Sequence, residues 1–448
     1  MDLFRSDGEA LFRADSLSWV MMGLILFVVI NVFSFSNRYL AGDKHHLRHR
    51  LSILLLAIAV IAMVFANHLL LLLACWAISN LLLISLMIHK SEWRAARNSG
   101  LLALKTLGFG VLLIGLGFAL LAETVRTASI SQIVPIVNEP STTQTVALVL
   151  IAIGAMTQSA IWPFHRWLTS SLNSPTPVSA LMHAGLVNGG GFLLVRFAPL
   201  YATQSLLLHG LFVAGLITAM VGTFWKLLQT DVKRMLACST MGQMGFMLMQ
   251  LGMGLFVPAI SHLCWHGLFK AYLFLNVGSV VKEKNNRQEI VLSPLRYLFA
   301  GLAGLGGALT FALASGTSLR FGDTSSLMLP LAFMASTQLS MGLLSQRITV
   351  IHVIGSILIG AAASGLYGLN LRLIETALHS LPGNEPQPMD AWYIAGIGAI
   401  VLVWLVMILN LPARIQTHRL WKKLYMTALN ASQPHPQTIT ASRTDYRS

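Results

Sequence analysis

The chain has 448 residues, 55% of them hydrophobic and only 10% charged, with a mean hydropathy of +0.70, a balance that no soluble core requires. A bilayer offers backbone amides no water, so apolar runs of about 18 residues or more must be helices or barrel strands, and their unbroken apolar character selects helices. The net charge of +14 would suit nucleic acid, but the basic residues sit in short loops, so the charge reads as membrane topology and lipid contact, with no nucleic-acid partner.

Residues 1–16 are polar and carry Asp2, Asp7, Glu9 and Asp15 in place of a basic n-region, so no cleavable signal is expected and the first helix serves as the insertion signal. Spans are then predicted at 17–36, 51–68, 69–89, 100–122, 144–165, 176–199, 206–228, 236–253, 257–281, 297–315, 327–344, 348–370 and 391–411. These make an all-α polytopic bundle of about thirteen helices, a transmembrane domain over 17–411 with a motif-bearing core at 144–281. Residues 412–448 follow, starting as a basic amphipathic stretch from Arg414 to Lys423 and ending in a Ser/Thr/Pro-rich tip expected to be disordered.

An odd number of spans puts the termini on opposite sides. With the segment Arg38 to Arg50 in the cytoplasm, 22 of the 30 basic residues gather there, among them Lys90, Arg94, Arg97, Arg166, Lys226, Lys233, Lys282, Lys284, Arg287 and Arg347. Arg5, Arg13, Arg126, Arg196, Arg320 and Arg372 fall on the other side. The positive-inside rule therefore predicts a bacterial inner-membrane protein with its N-terminus outside and its C-terminus in the cytoplasm.

Cys75, Cys238 and Cys264 are isolated, without CxxC or metal-ligand spacing, so neither metal nor cofactor is expected. All 16 Asp and Glu fall at helix ends, in loops or in the termini, which leaves bases to carry any chemistry at membrane depth. A charge there costs roughly 2.5–3.5 kcal/mol, and Lys270 is the clearest case. In His262-x3-His266-x3-Lys270 the i, i+4, i+8 spacing puts three basic side chains on one helical face over about 12 Å. A lone membrane histidine usually makes a helix-to-helix hydrogen bond, but such a row beside a desolvated lysine is read as a proton relay. Lys105, about five residues inside its span, can snorkel to the surface.

His183 follows Pro175 and Pro177 at the start of its helix, and Pro163 interrupts the previous one after Gln158-Ser-Ala-Ile-Trp, freeing carbonyls that could hold water or a proton. Broken helices at mid-depth are a transporter device, although a proline kink can also serve packing alone. The Met-rich runs and the glycines from Gly301 to Gly307 read as helix packing.

Pro175-Thr-Pro-Val-Ser-Ala-Leu-Met-His183-Ala, Gln229-Thr-Asp-Val-Lys-Arg234 with Ser239-Thr-Met-Gly-Gln243, and the His262/His266/Lys270 row resemble the antiporter-like subunits of respiratory complex I and Mrp antiporters, over residues 15–281. Within that superfamily, further details are most similar to the DabB family, the membrane subunits of an inorganic-carbon pump. They are Asn37-Arg-Tyr-Leu-Ala-Gly-Asp43, Pro163-Phe-His-x-Trp167-Leu, Gly190-Gly-Phe-Leu-Leu, Gln243-Met-Gly-Phe-Met-Leu-Met-Gln250, Leu268-Phe-Lys-Ala271 and Gly278-Ser-Val-Val281.

The resemblance implies inverted helical repeats and a proton path through Lys270, His266, His262, His183 and Gln158, supported by Pro163, Pro175, Pro177, Lys233 and Gln243. It also implies a large DabA-like partner resembling a zinc carbonic anhydrase. Three departures stand out: the chain starts near what resembles the third helix of longer relatives, Trp76-Ala77 replaces a Trp-Glu pair, and Gln158 stands where a channel lysine is expected. From Tyr297 to Leu371 the basic and acidic side chains are Arg320, Asp323, Arg347 and His352, with no lysine to mark a second half-channel. The leading reading is a proton-coupling, non-enzymatic subunit of a carbon-uptake complex. The alternatives are a proton-translocating subunit of an NADH-quinone oxidoreductase or membrane-bound hydrogenase, and a non-conducting assembly subunit.

Overall fold

The computed structural model describes residues 3–6, 9–135, 141–278, 293–320, 322–344, 349–378, 383, 385–410 and 418–439. Lys282, Lys284, Arg287, Arg347 and Arg414, and the end of Gly278-Ser-Val-Val281, lie outside the described residues. A two-stranded antiparallel hairpin opens the chain, β1 (Leu3–Ser6) with β2 (Glu9–Phe12), where only a polar segment is expected; among the described residues the later elements are helices, joined by loops and three isolated β-bridges.

The helices are α1 (Ser16–Tyr39), α2 (His46–Phe65), α3 (Leu69–Met87), α4 (Arg94–Val125), α5 (Ile130–Ile133), α6 (Thr142–Gln158), α7 (Arg166–Thr169), α8 (Thr176–Ala184) and α9 (Gly189–Arg196). They continue as α10 (Ala198–Ala202), α11 (Ser205–Leu228), α12 (Val232–Gly252), α13 (Phe256–Leu275), α14 (Pro294–Ser315), α15 (Met328–Leu344), α16 (Val350–Ala377), α17 (Ala391–Ile408) and α18 (Arg419–Ala431). Each predicted span has a counterpart. Among the described residues, ten helical stretches are long and apolar enough to cross a membrane. The shortfall from thirteen has a physical cause: α6 stops after 17 residues, while α12 and α13 carry the polar side chains of the interior.

The scarce carboxylates are spent on helix starts. Asp15, Asp231 and Asp390 cap α1, α12 and α17, each accepting a backbone N–H of the first turn, and Asp323 caps the 3₁₀ turn Thr324–Leu327. Glu123 and Glu375 instead fall in the last turns of α4 and α16, and Asp43 and Glu385 in loops. Leu112, Leu116, Ile58, Leu206 and Leu366 point outward and exposed, as lipid-facing side chains do, whereas a soluble surface would not tolerate so wide an apolar belt.

Close packing comes from small residues. A Cβ on Gly222 of α11 would stand 2.4 Å from the Gly242 nitrogen of α12, so the two backbones touch. On α14, Gly304 and Gly307 abut Thr337 and Ser336 of α15 as packing positions, whereas Gly301 faces open space.

Two span boundaries need correction. The span at 144–165 ends at Gln158, because Ala160 adopts φ 52° two residues on. The span at 176–199 is not continuous: Gly185, at φ −115° and ψ −76°, ends α8, a 3₁₀ turn covers Leu186–Asn188, and α9 resumes at Gly189. Helix α4 begins at Arg94, six residues before the predicted span, and Lys105 on it is exposed. Of the C-terminal segment, residues 418–439 are described and carry α18; the tip expected to be disordered, 440–448, lies outside the described residues. The described part crosses the ends of α4, α7 and α11: Asn98 Nδ2 donates to the Gln437 carbonyl (2.8 Å), Asn173 Nδ2 to the Thr438 carbonyl (2.8 Å), His435 N to Ser170 Oγ (2.9 Å) and Gln229 Nε2 to Ser432 Oγ (2.9 Å).

Candidate functional site

Helix α13 is amphipathic in an inverted sense, with its basic face inward and Trp265, Phe269 and Tyr272 outward. His262, His266 and Lys270 retain 9%, 6% and 1% exposure, so the row drawn from i+4 spacing is fully inside the bundle. The His262 and His266 rings lie nearly parallel, 6.2 Å between centroids.

Helices α8 and α12 complete the site. Lys270 Nζ donates to the Leu236 carbonyl on α12 (3.3 Å), and the Thr240 hydroxyl donates to the same carbonyl (3.0 Å). Thr240 Oγ1 lies 3.1 Å from His183 Nδ1 on α8. With its single proton committed to Leu236, Thr240 accepts there, and His183 Nδ1 is the donor. The His183 ring stacks on Phe274 of α13 at 4.3 Å, one turn beyond Lys270. One string of hydrogen bonds thus links Lys270 to His183 through a carbonyl and a hydroxyl. His262 Nε2 and both ring nitrogens of His266 are buried without a protein partner, a cost of about 1–3 kcal/mol for each group left so.

Gln158, the last residue of α6, stands at the break between α8 and α9. Its Nε2 donates to the freed Leu186 carbonyl (3.2 Å), Ser159 Oγ donates to the Val187 carbonyl (2.7 Å), and Asn188 Nδ2 donates to Ala184 (2.9 Å). The break is therefore closed by amides and hydroxyls. Trp76 and Ser79 of α3 line, with Gln158 and Gly189, a mostly apolar cavity of about 50 Å³. Trp76 and Gln158, the latter where the resemblance expects a lysine, thus meet at one cavity; Ala77, where it expects the glutamate, is not among the lining residues.

The supporting residues divide. Pro175 caps α8 and Pro177 sits in its first turn. Lys233 is half-buried and its Nζ donates to the Ser174 carbonyl (3.2 Å), next to Pro175. Pro163 is exposed in the loop after α6, and Gln243 is exposed on α12; neither touches the buried row.

Thr240 and Gln250 stand in the motifs quoted above but, like Ser261, Tyr367 and Asn370, carry no charge that marks them as hydrogen-bond partners. A further histidine group stands where the α1–α2 connection meets the end of α3: His89 Nε2 lies 3.3 Å from Asp43 Oδ2, with the buried His49 ring 5.1 Å from His89. Burial pushes the Asp43 carboxyl up, but the His45 backbone N–H and the His89 side chain outweigh it and hold Asp43 below the usual carboxylate range. Among the described residues, no group of His, Cys, Asp and Glu has the arrangement to hold a metal ion.

Residues 66–301, more than half of the chain, match the family described as "NADH:quinone oxidoreductase/Mrp antiporter, TM". The chain belongs to that family. Among its relatives is the "Probable inorganic carbon transporter subunit DabB1" of Halothiobacillus neapolitanus, 36% identical over 312 residues, 65% of this chain and 56% of that one. The "Probable inorganic carbon transporter subunit DabB" of Hydrogenovibrio crunogenus is 30% identical over 403 residues, 88% of this chain and 75% of that one. The chain thus spans just over half the length of the Halothiobacillus relative. A chain in the Mrp complex of Dietzia sp. DQ12-45-1b shares the fold with a TM-score of 0.63 at 23% identity, over 94% of this chain and 52% of that one. The buried row, the broken α8/α9 pair and the α12 contacts all fall inside the family match.

Proposed function

We propose that this chain is the proton-coupling membrane subunit of an energy-coupled inorganic carbon (CO₂/bicarbonate) uptake complex, acting with a large DabA-like subunit that supplies CO₂ hydration. The observation that carries this reading is the buried line His262, His266, Lys270, linked through Leu236 and Thr240 to His183, in a chain similar to DabB subunits. Lys270 can release and regain a proton, the imidazoles can accept and donate one, and the enclosing helices exclude lipid. Lys233, near the start of α12, is the entry group on the face that bears the C-terminal segment, and that face is cytoplasmic on the distribution of basic residues. Gln158 closes the helix break without carrying charge, so the path runs through α8, α12 and α13.

The test is growth. Co-expressed with a DabA-like subunit in a host lacking carbonic anhydrase, the chain restores growth in ordinary air, and a protonophore abolishes the accumulated inorganic carbon. Rescue by the large subunit alone overturns the coupling role. Co-purification with quinone-reducing subunits assigns the chain to a respiratory complex instead.

A further inference from the structure

The basic row ends at His262, short of the face opposite the C-terminal segment, and the sequence offers no lysine beyond it. Polar groups continue from that point. Ser261 and Gln250, both fully buried, and Asn370 and Tyr367 of α16 converge where α12, α13 and α16 meet. Asn370 Nδ2 donates to Ser261 Oγ at 2.7 Å, and the Tyr367 hydroxyl lies beside the side chains of Ser261 and Gln250. Gln250 Oε1 is buried without a protein partner. Tyr367 is held by its ring, stacked on Phe311 of α14 at 6.0 Å. Lys233 and Gln250 stand near the two ends of α12, about 25 Å apart along its axis, against a hydrocarbon thickness of about 30 Å.

We infer that Ser261 and Tyr367, positioned by Asn370 and Gln250, form the second half of the proton path, carrying protons between His262 and the face opposite the C-terminal segment. The inference rests on the proton-coupling reading above and names its outlet. Each hydroxyl oxygen accepts a proton as it releases its own, so it returns to neutrality after every transfer and no ionised group has to persist in the interior. Amides do not pass protons this way; Asn370 and Gln250 are positioning residues that orient the two hydroxyls. The outlet thus dispenses with a lysine and lies on α16.

The experiment measures proton flux with an internal pH dye in liposomes holding the chain and its DabA-like subunit, under an imposed potential. Tyr367→Phe keeps the ring and its Phe311 stack but removes the hydroxyl; Ser261→Ala removes the other. Each is expected to lower flux roughly tenfold and to raise the D₂O isotope effect, because transfer at the outlet then limits the rate. Tyr272→Phe, at an exposed site on the same helix, is expected to retain wild-type flux. Monodisperse elution of each variant establishes that it folds, and if Tyr367→Phe does not fold, Ser261→Ala carries the test. Wild-type flux and isotope effect in folded outlet variants, with flux abolished in Lys270→Met, overturn the outlet and leave the coupling reading standing. Unchanged flux in Lys270→Met overturns the coupling reading itself.

Discussion

Arg196, the last residue of α9, forms a direct ion pair with Asp15, the cap of α1. The same guanidinium donates to Ser18 Oγ (3.0 Å) and to the Val64 carbonyl near the end of α2 (2.8 Å), so one side chain ties α9 to both helices. Burial pushes the Asp15 carboxyl up, but the Arg196 charge and the Ser18 and Arg196 hydrogen bonds outweigh it and hold it below its ordinary 3.8. Its contribution is therefore complete above that ordinary value and is lost as pH falls through the lower folded value. Arg196→Gln is expected to cost about 1–2 kcal/mol, a buried-pair loss discounted for the partial exposure of Asp15. The check is the detergent-solubilised melting temperature at pH 7 and near pH 3, where the difference between wild type and variant should shrink.

The brace at the broken helix gives a second test. Gly190 lies where a Cβ would stand 2.3 Å from the Ala155 carbonyl, so Gly190→Ala must push α6 and α9 apart and should fail to yield monodisperse protein. Ser159→Ala removes only the hydrogen bond to Val187, leaving a buried carbonyl unpaired for about 1–3 kcal/mol, and should lower the melting temperature while the protein still inserts. Equal behaviour of the two variants would contradict the close packing.

Periodicity and charge made much of this legible. The His262/His266/Lys270 row follows from i+4 spacing alone, because three bases at membrane depth on one helix have to face inward together. Pro163 signalled the end of α6. The break at Gly185 carried no proline, and its carbonyls are satisfied by Gln158 and Ser159 from another helix, a tertiary relation that no local pattern encodes. Tyr367 and Asn370 lie in an otherwise apolar span and carry no charge to single them out; their role depends on which helix packs against α13. Gln243 shares a motif with Thr240, but it is three residues on and faces outward.

The C-terminal segment is the basis of a third test. Its hydrogen bonds to Asn98, Ser170, Asn173 and Gln229 put the ends of α4, α7 and α11 on one face with residues 432–439. Ser170→Ala with Asn173→Ala is expected to release the segment, increasing trypsin cleavage after Lys422 and Lys423. The topology proposal assigns this face to the cytoplasm, so alkaline phosphatase fused after Asn285 should be inactive and a fusion between Leu371 and Asp390 active. The opposite fusion pattern would invert the orientation without disturbing the shared face.

Lys270 carries the sharpest prediction. Lys270→Met replaces a proton-exchanging amine by a thioether of similar length, so the packing volume against α12 survives while exchange stops and the Leu236 carbonyl loses one of its two side-chain donors. Lys270→Arg keeps the charge and a donor but holds its proton above a pKa of about 12, so it should rescue folding without restoring flux. His266→Ala removes one member while His262 and His183 remain, and a partial loss is expected. The ordering should therefore be wild type, then His266→Ala, then Lys270→Arg, then Lys270→Met, in proton flux and in growth rescue alike. Should Lys270→Arg match wild type in both, the lysine acts as a fixed charge and helix tie, and the proton would have to travel by groups other than this row.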